Sequence, residues 1–465
     1  MPRPWVRSTV AAAAVTSLCL GPLTLESSGV AAAAVARPGS PSSSDSLFPH
    51  SGNGGYDVRH YDIALRFQRP RIHATTTVSA VARRNLSAFF LDLEGLVVDR
   101  VTVNGKPAPF SRSGHELRIT PTHPVGRGRH FSTVVTYHGL PQFHIDPDGV
   151  RDGWVNTPDG ETVVAEPVGA MTWFPCNNTL ADKATYRFTV RAPKRLTVAA
   201  NGLPVRTVEH PRSTTSHWRE TDQMSTYLAA ISIGKYDVIR DRTNHGTRVI
   251  SFLDPSEGGY RSAAKVPGIV DYLEKRFGRY PLTSAGIIVD NVPVSYALEV
   301  QTRPVFPDPP SETTLVHELV HQWFGDSVTP KDWGDVWLNE GFATYGEWLW
   351  VGRDKPGAPR RIFDRKYQRL DAGRQLWHVP PADLGRPKYL FSNSVYTRGA
   401  MALEAFRLKM GDKAFFALLH RWPTRHYQAN ASTHQLKRMA ERLSGRQLDH
   451  LFKVWLYTPH KPRGY

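Results

Sequence analysis

The chain of 465 residues has two cysteines, so no disulfide framework organises it. It is also poor in long apolar runs: mean hydropathy is -0.38 and only 40% of residues are hydrophobic, which excludes a protein built from several membrane spans. Acidic charge is in deficit, with 42 Asp and Glu against 58 Lys and Arg, a formal charge of +16. Extended disorder is excluded by what is present, since 12 Trp, 17 Tyr and 20 Phe are more aromatic surface than a solvated coil carries. No repeat of solenoid length occurs. The length suits two domains with cores of their own.

Residues 1–36 read as a secretory signal peptide: a short basic start with Arg3 and Arg7, a mostly apolar Val10 to Leu25, and a small-x-small site ending at Ala36. A membrane anchor fits less well, because Pro22, Glu26 and Ser27-Ser28-Gly29 interrupt the apolar run. Secretion with cleavage near Ala36 is therefore expected. Cleavage removes two Arg and one Glu, so the charge of +16 falls to +15. It leaves Cys176 as the one thiol, expected to be buried and inert. Residues 37–55 are rich in Ser, Pro and Gly and predict a flexible linker.

From Tyr56 to His245 short alternating runs such as Tyr61 to Phe67 and Thr185 to Val190 predict a β domain, 56–245. Asn104-Gly105 predicts a two-residue hairpin turn, which needs the positive φ angles these residues tolerate. After Gly246 the period becomes helical, over Ile269 to Phe277, Thr313 to Phe324, Val336 to Val351, Arg398 to Met410 and Thr433 to Leu443. A β half followed by a mainly helical half, 246–465, gives an α+β chain of two domains.

The chemistry centres on His317-Glu318-Leu319-Val320-His321. Residues i and i+4 share a helix face, so two imidazoles at that spacing reach one ion while the helix stays regular. Ser311 is placed to cap this helix. Glu318 adjoins the first histidine and is placed as general base toward a metal-activated water. Alone, the five residues also suit an ordinary amphipathic helix with two half-buried histidines. Trp337-Leu338-Asn339-Glu340-Gly341-Phe342 adds a carboxylate, Glu340, eighteen residues beyond His321. Two His and one carboxylate leave a fourth position open, the catalytic zinc arrangement. Glu347, two turns beyond Glu340 on the same face, is placed to accept a hydrogen bond from a ligating imidazole; a surface glutamate is the alternative.

These motifs resemble the aminopeptidase N family of zinc metallopeptidases, whose signature is H-E-x-x-H, eighteen residues, then E within W-L-N-E-G-F. Tyr56 to Tyr61, Trp173-Phe174-Pro175-Cys176-Asn177, Met224-Ser225-Thr226-Tyr227-Leu228 and Phe452 to Tyr457 are similar to further family segments. The resemblance implies an N-terminal sandwich-like β domain, a thermolysin-like catalytic domain and one Zn²⁺ per chain, without the C-terminal helical domain of larger relatives. It implies that Glu299, in Tyr296-Ala297-Leu298-Glu299-Val300, holds the substrate's α-ammonium, although Tyr296, Leu298 and Val300 stand where the family has Gly, Met and Asn. The same segment is the family's edge strand, so Ala297 is expected to pair with the peptide backbone. Glu166, nine residues before Pro175, matches a second ammonium anchor. Tyr396, in Tyr396-Thr397-Arg398-Gly399, matches the oxyanion-stabilising tyrosine, with Arg398 in place of a lysine.

The expected function is thus a secreted, monomeric zinc aminopeptidase acting on peptides with a free N-terminus. Nucleic acid is not an expected partner, and the basic exterior favours at most weak association with an anionic cell surface. The alternatives are an epoxide-hydrolysing relative and a non-catalytic protein of the same fold that binds anionic cell-surface polymer.

Overall fold

The computed structural model describes residues 35–147 and 149–463; the predicted signal peptide lies outside them apart from its last two residues. Among the described residues no helix is long and apolar enough to cross a membrane.

The first half is a β-rich domain of three sheets. The largest has eight strands, with Tyr56–Gln68 at its middle between Ala184–Pro193, in parallel, and Arg71–Ala82, antiparallel. Alternation explains its burial, since Tyr61, Ile63, Leu65 and Phe67 point inward while Arg66 and Gln68 face solvent. The Asn104-Gly105 turn joins Val97–Val103 to Lys106–Pro107 with φ of 50° and 77°, as predicted. A five-stranded sheet containing Arg151–Asn156, Glu161–Val164 and Ile231–Gly234 lies nearest the catalytic half in sequence and carries Glu166 just beyond its strand Glu161–Val164.

Two expectations are corrected. The boundary at 245/246 falls in the turn of a hairpin, Asp237–Arg242 with Arg248–Leu253, whose second strand pairs in parallel with Ile288–Val289. This hairpin belongs to the catalytic sheet, so the change of domain comes after Gly234. Local β periodicity cannot tell which sheet a strand will join. Residues 37–55 are no flexible linker. Arg37–Pro38 pairs with the strand Leu86–Asp92, Ser40 bridges Gly54, and Asp45 caps the amides of Leu47 and Phe48. The segment then reaches the catalytic half, where Asp45 accepts from the Trp333 amide and Asp332 accepts from the Ser46 amide. Composition read these Ser, Asp and Asn residues as solvated, whereas they serve as turn and capping groups held by distant partners.

The catalytic half is built on three helices, α1 (Tyr260–Phe277), α2 (Glu312–His321) and α3 (Trp337–Val351). Helix α1 starts nine residues before the predicted Ile269 and accommodates Pro267 within it. Ser311 caps α2 through the Thr314 amide, as its position predicts. Helix α3 packs on α2, with Phe324 stacked on Phe342 at 4.4 Å between ring centroids, and on the helix Gly399–Met410. At the latter crossing an added Cβ on Gly341 would lie 3.2 Å from the Gly399 Cα, so two glycines permit a contact that side chains would block.

Arg303 stitches the halves together. Its buried guanidinium donates to the carbonyls of Ala200 and Gly202 in the β domain and of Ile250 in the catalytic sheet, at 2.6 to 3.1 Å. This fixes the chain four residues after Glu299 against both domains.

Candidate metal and peptide site

Helices α2 and α3 bring His317, His321 and Glu340 together. Oε2 of Glu340 lies 3.1 Å from Nε2 of His317 and 3.4 Å from Nε2 of His321. The other ring nitrogens are occupied: Nδ1 of His317 donates to Oε1 of Glu347 at 2.7 Å, and Nδ1 of His321 to the Phe324 carbonyl at 3.1 Å. Each imidazole is thus held with its Nε2 lone pair toward Glu340, the tautomer a metal needs. The donors are borderline nitrogen and carboxylate oxygen with His321 and Glu340 almost fully buried, which fits Zn²⁺. Burial alone would raise the Glu340 carboxyl, but the attraction of the two histidines in their protonated form, His321 foremost, holds it at about 2; a cation bound at the neutral Nε2 atoms would act in the same sense. The site is built for a buried positive charge.

Glu318 follows His317 on α2 and is 6% exposed. Burial pushes its carboxyl up to about 7 against the pull of both histidines. One carboxylate oxygen each from Glu299 and Glu318 and one nitrogen of His321 lie within 4.8 Å of one another, which places Glu299 beside the base. Glu166 belongs to the same buried group. Burial raises its carboxyl well above the usual range, and the charges of Glu299, Glu340 and Glu318 add to this. Its Oε1 is buried without a hydrogen-bond partner among the described residues. Buried carboxylates that repel one another in this way favour a proton or a neighbouring cation.

Ala297 is half-buried on a segment whose next residue, Leu298, exchanges both backbone hydrogen bonds with Val305. Alternation along an extended chain therefore turns the Ala297 amide and carbonyl to the opposite edge. Tyr296, in the family's glycine position, sends its hydroxyl to the Arg151 carbonyl at 2.7 Å and so ties this segment to the β domain.

Tyr396 sits on a π-helical turn, Ser394–Arg398, leading into the helix Gly399–Met410. Such a turn displaces a side chain from regular helical phase. Its ring stacks on His317 at 5.9 Å between centroids. Burial, followed by the charges of Glu340 and Glu166, pushes its hydroxyl well up, so it stays a donor. Arg398 does not face the site. It is fully buried and donates to the carbonyls of Trp455, Trp377 and Val454 at 2.8 to 3.1 Å, pinning the last helical turn behind Tyr396.

Sequence reasoning missed two supports. Tyr227 donates its hydroxyl to Oε1 of Glu299 at 3.2 Å, and Gln322 donates Nε2 to the Glu299 carbonyl at 3.3 Å while accepting from the Thr302 amide at 2.7 Å. Tyr227 lay within a segment already singled out for its resemblance. Gln322 directly follows the metal motif but gave no signal of its own. Cys176 is buried and free, with its thiol pushed well up by burial.

Two histidines and a glutamate on packed helices, with a carboxylic base alongside, form the donor set of a zinc metallopeptidase. Residues 58–228 match the Peptidase M1 N-terminal domain and residues 308–455 the Peptidase family M1 domain, and the chain belongs to this family. An M1 zinc metallopeptidase from Deinococcus radiodurans has a similar structure, with a TM-score of 0.84 and 29% identity over 91% of this chain and 98% of that one. A mutant of that protein bound to a Tyr-Ser-Ala substrate gives 0.83 and 28%, over 91% and 99%. Aminopeptidase N of Streptomyces lividans is 25% identical over 83% of this chain and 48% of its own length. Aminopeptidase M1-C of Oryza sativa subsp. japonica is 28% identical over 64% and 36%. The chain spans about half or less of the length of these curated relatives.

Proposed function

We propose that the protein is a secreted aminopeptidase that uses a single zinc ion, acts as a monomer and removes the first residue of peptides with a free N-terminus. The observation that carries this reading is that Glu299 lies beside Glu318 and His321, while the buried Glu166 of the other domain feels the charges of Glu299, Glu340 and Glu318 and has a carboxylate oxygen unpaired among the described residues. A metal and a base hydrolyse amides anywhere along a chain. A buried pair of carboxylates adds selectivity for an ammonium, because charge-assisted hydrogen bonds strengthen where water is excluded.

His317, His321 and Glu340 would hold the zinc, which when bound polarises a carbonyl and lowers the pKa of a water molecule. The peptide pairs with the free edge at Ala297 and its ammonium lies between Glu299 and Glu166. Glu318 takes the proton of the attacking water and delivers it to the leaving amine. Tyr396 donates a hydrogen bond to the oxyanion that develops on the first carbonyl. Glu347 keeps His317 oriented throughout. Secretion rests on residues 1–36, and the +15 exterior is read as favouring acidic peptides or an anionic cell surface.

The test is hydrolysis of a panel of aminoacyl anilides and their N-acetylated counterparts, with and without chelator. Free substrates should be cut only with metal, and acetylated ones hardly at all. Equal rates on both would sink the ammonium anchor. Loss of zinc binding in Glu318→Ala, or full turnover in that variant, would sink the role of the base.

A further inference from the structure

Three aspartates well separated in sequence from the metal motif come together between the two sheets flanking the change of domain. Asp159 lies in the turn between the strands Arg151–Asn156 and Glu161–Val164, Asp254 directly follows Arg248–Leu253, and Asp290 directly follows Ile288–Val289. One carboxylate oxygen from each lies within 4.8 Å of the others. Asp290 is fully buried and Asp254 is 8% exposed.

Each carboxylate is half used by the protein. Oδ2 of Asp290 accepts from the hydroxyls of Thr162 at 2.5 Å and Tyr236 at 2.6 Å, with that of Ser232 at 3.4 Å. Oδ2 of Asp159 accepts from the Lys235 amide at 2.9 Å, and Oδ1 of Asp254 from the amide and hydroxyl of Ser256 at 2.8 and 2.7 Å. The remaining oxygens of Asp290 and Asp159, both Oδ1, are buried and have no hydrogen-bond partner among the described residues. A buried acceptor left this way is costly unless something fills it.

Among the described residues no cationic side chain forms an ion pair with the trio. Two other groups of buried or half-buried carboxylates hold their own imidazole: Asp92 and Glu116 have His115, and Asp271 and Glu274 have His245. Here Arg69, beside the same turn, is engaged by Glu161 and by the carbonyls of Thr157 and Pro158. Burial above all pushes the Asp290 carboxyl up, the two hydroxyls oppose this, and the charges of Asp254 and Asp159 add to it.

We propose that Asp159, Asp254 and Asp290 bind a calcium ion. The donors are all hard oxygens, which excludes a preference for zinc, and calcium accepts irregular carboxylate sets completed by water where magnesium demands near-ideal octahedra. The ion would join the β domain to the catalytic sheet. It would do so at the turn that leads through Glu161–Val164 to Glu166 and at the start of the segment that reaches Glu299. Its effect on substrate binding rests on the aminopeptidase reading; the calcium site itself does not.

The experiment is a calcium titration of the zinc-loaded full chain, followed by thermal unfolding and by isothermal calorimetry. Wild type should show one site and a midpoint rise of about 2–6 °C at millimolar calcium. Dialysis into calcium-free, zinc-containing buffer should reverse the rise, and equimolar magnesium should reproduce little of it. Asp254→Asn and Asp159→Asn, at the less buried side of the trio, should bind calcium at least tenfold more weakly and lose the shift while retaining zinc. Absence of a shift in wild type, or an undiminished shift in both variants, overturns the proposal. An active enzyme is not needed for either readout, so failure of the peptidase reading would leave this result standing.

Discussion

The ring nitrogen Nδ1 of His317 on α2 donates to Oε1 of Glu347 on α3 across 2.7 Å. A liganding imidazole has two nitrogens, and fixing the proton on one commits the other to the metal. His321 achieves the same with the backbone carbonyl of Phe324. The two ligands are therefore unequal, one oriented by a replaceable side chain and the other by the fold.

Replacing Glu347 should weaken metal binding without unfolding the protein. Glu347→Ala is expected to lower zinc affinity about 10–100-fold. Competition with a chromophoric chelator would measure it. The variant saturated with excess zinc should regain much of its activity, which a residue acting directly on substrate would not permit.

Tyr396 stacks on His317 and has its hydroxyl held protonated. Tyr396→Phe keeps the ring and loses the donor. Turnover should fall about 10²–10³-fold with KM nearly unchanged, because the bond forms to charge that develops only in the transition state. A variant with wild-type kcat would remove Tyr396 from the mechanism.

Gly341 and Gly399 set the distance between α3 and the helix that follows the Tyr396 turn. Gly341→Ala puts a methyl 3.1 Å from the carbonyl carbon and 3.2 Å from the Cα of Gly399, so the backbone must give by a few tenths of an ångström, and should cost about 1–3 kcal/mol of stability. Because the displaced element carries Tyr396, kcat should fall as well. Denaturant unfolding and steady-state kinetics on the same preparation would show whether the two losses go together.

Burial, and then the Asp92 carboxylate, raises Glu116 from 4.5 to about 8. The folded state then binds more protons than the unfolded one between these values, so this group's contribution is full below pH 4.5 and is lost as pH rises through 8. Glu116→Gln removes the penalty. The variant should match wild type near pH 4 and exceed it at pH 9 by on the order of 1–2 kcal/mol, allowing for its partial exposure. Urea midpoints across the pH range would check it; parallel curves would refute it.

Much of this site was legible in the residue order. Helical spacing alone put His317 and His321 on one face, and Ser311 in place as cap, because both depend on residues within one or two turns. Glu340 was legible through its motif, and Glu347 through its phase with Glu340. What stayed hidden was long-range. Tyr227 under Glu299, Arg303 across both domains and the strap 37–55 each depend on at least one partner 70 or more residues distant, to which local periodicity is blind. Arg398 shows the same limit: its charge was visible, but only the fold decided that it would hold carbonyls of the last helical turn and stay out of the site.

The sequence by itself determined the donor types, their helices and the order of a β half before a mainly helical half, since these follow from side-chain chemistry and short-range period. The tertiary structure alone decided that Arg303 would tie both domains together, and that three scattered aspartates would meet with no cationic side chain paired to them among the described residues. Those outcomes turn on which surfaces pack together, a property of the whole folded chain that no local stretch of it encodes.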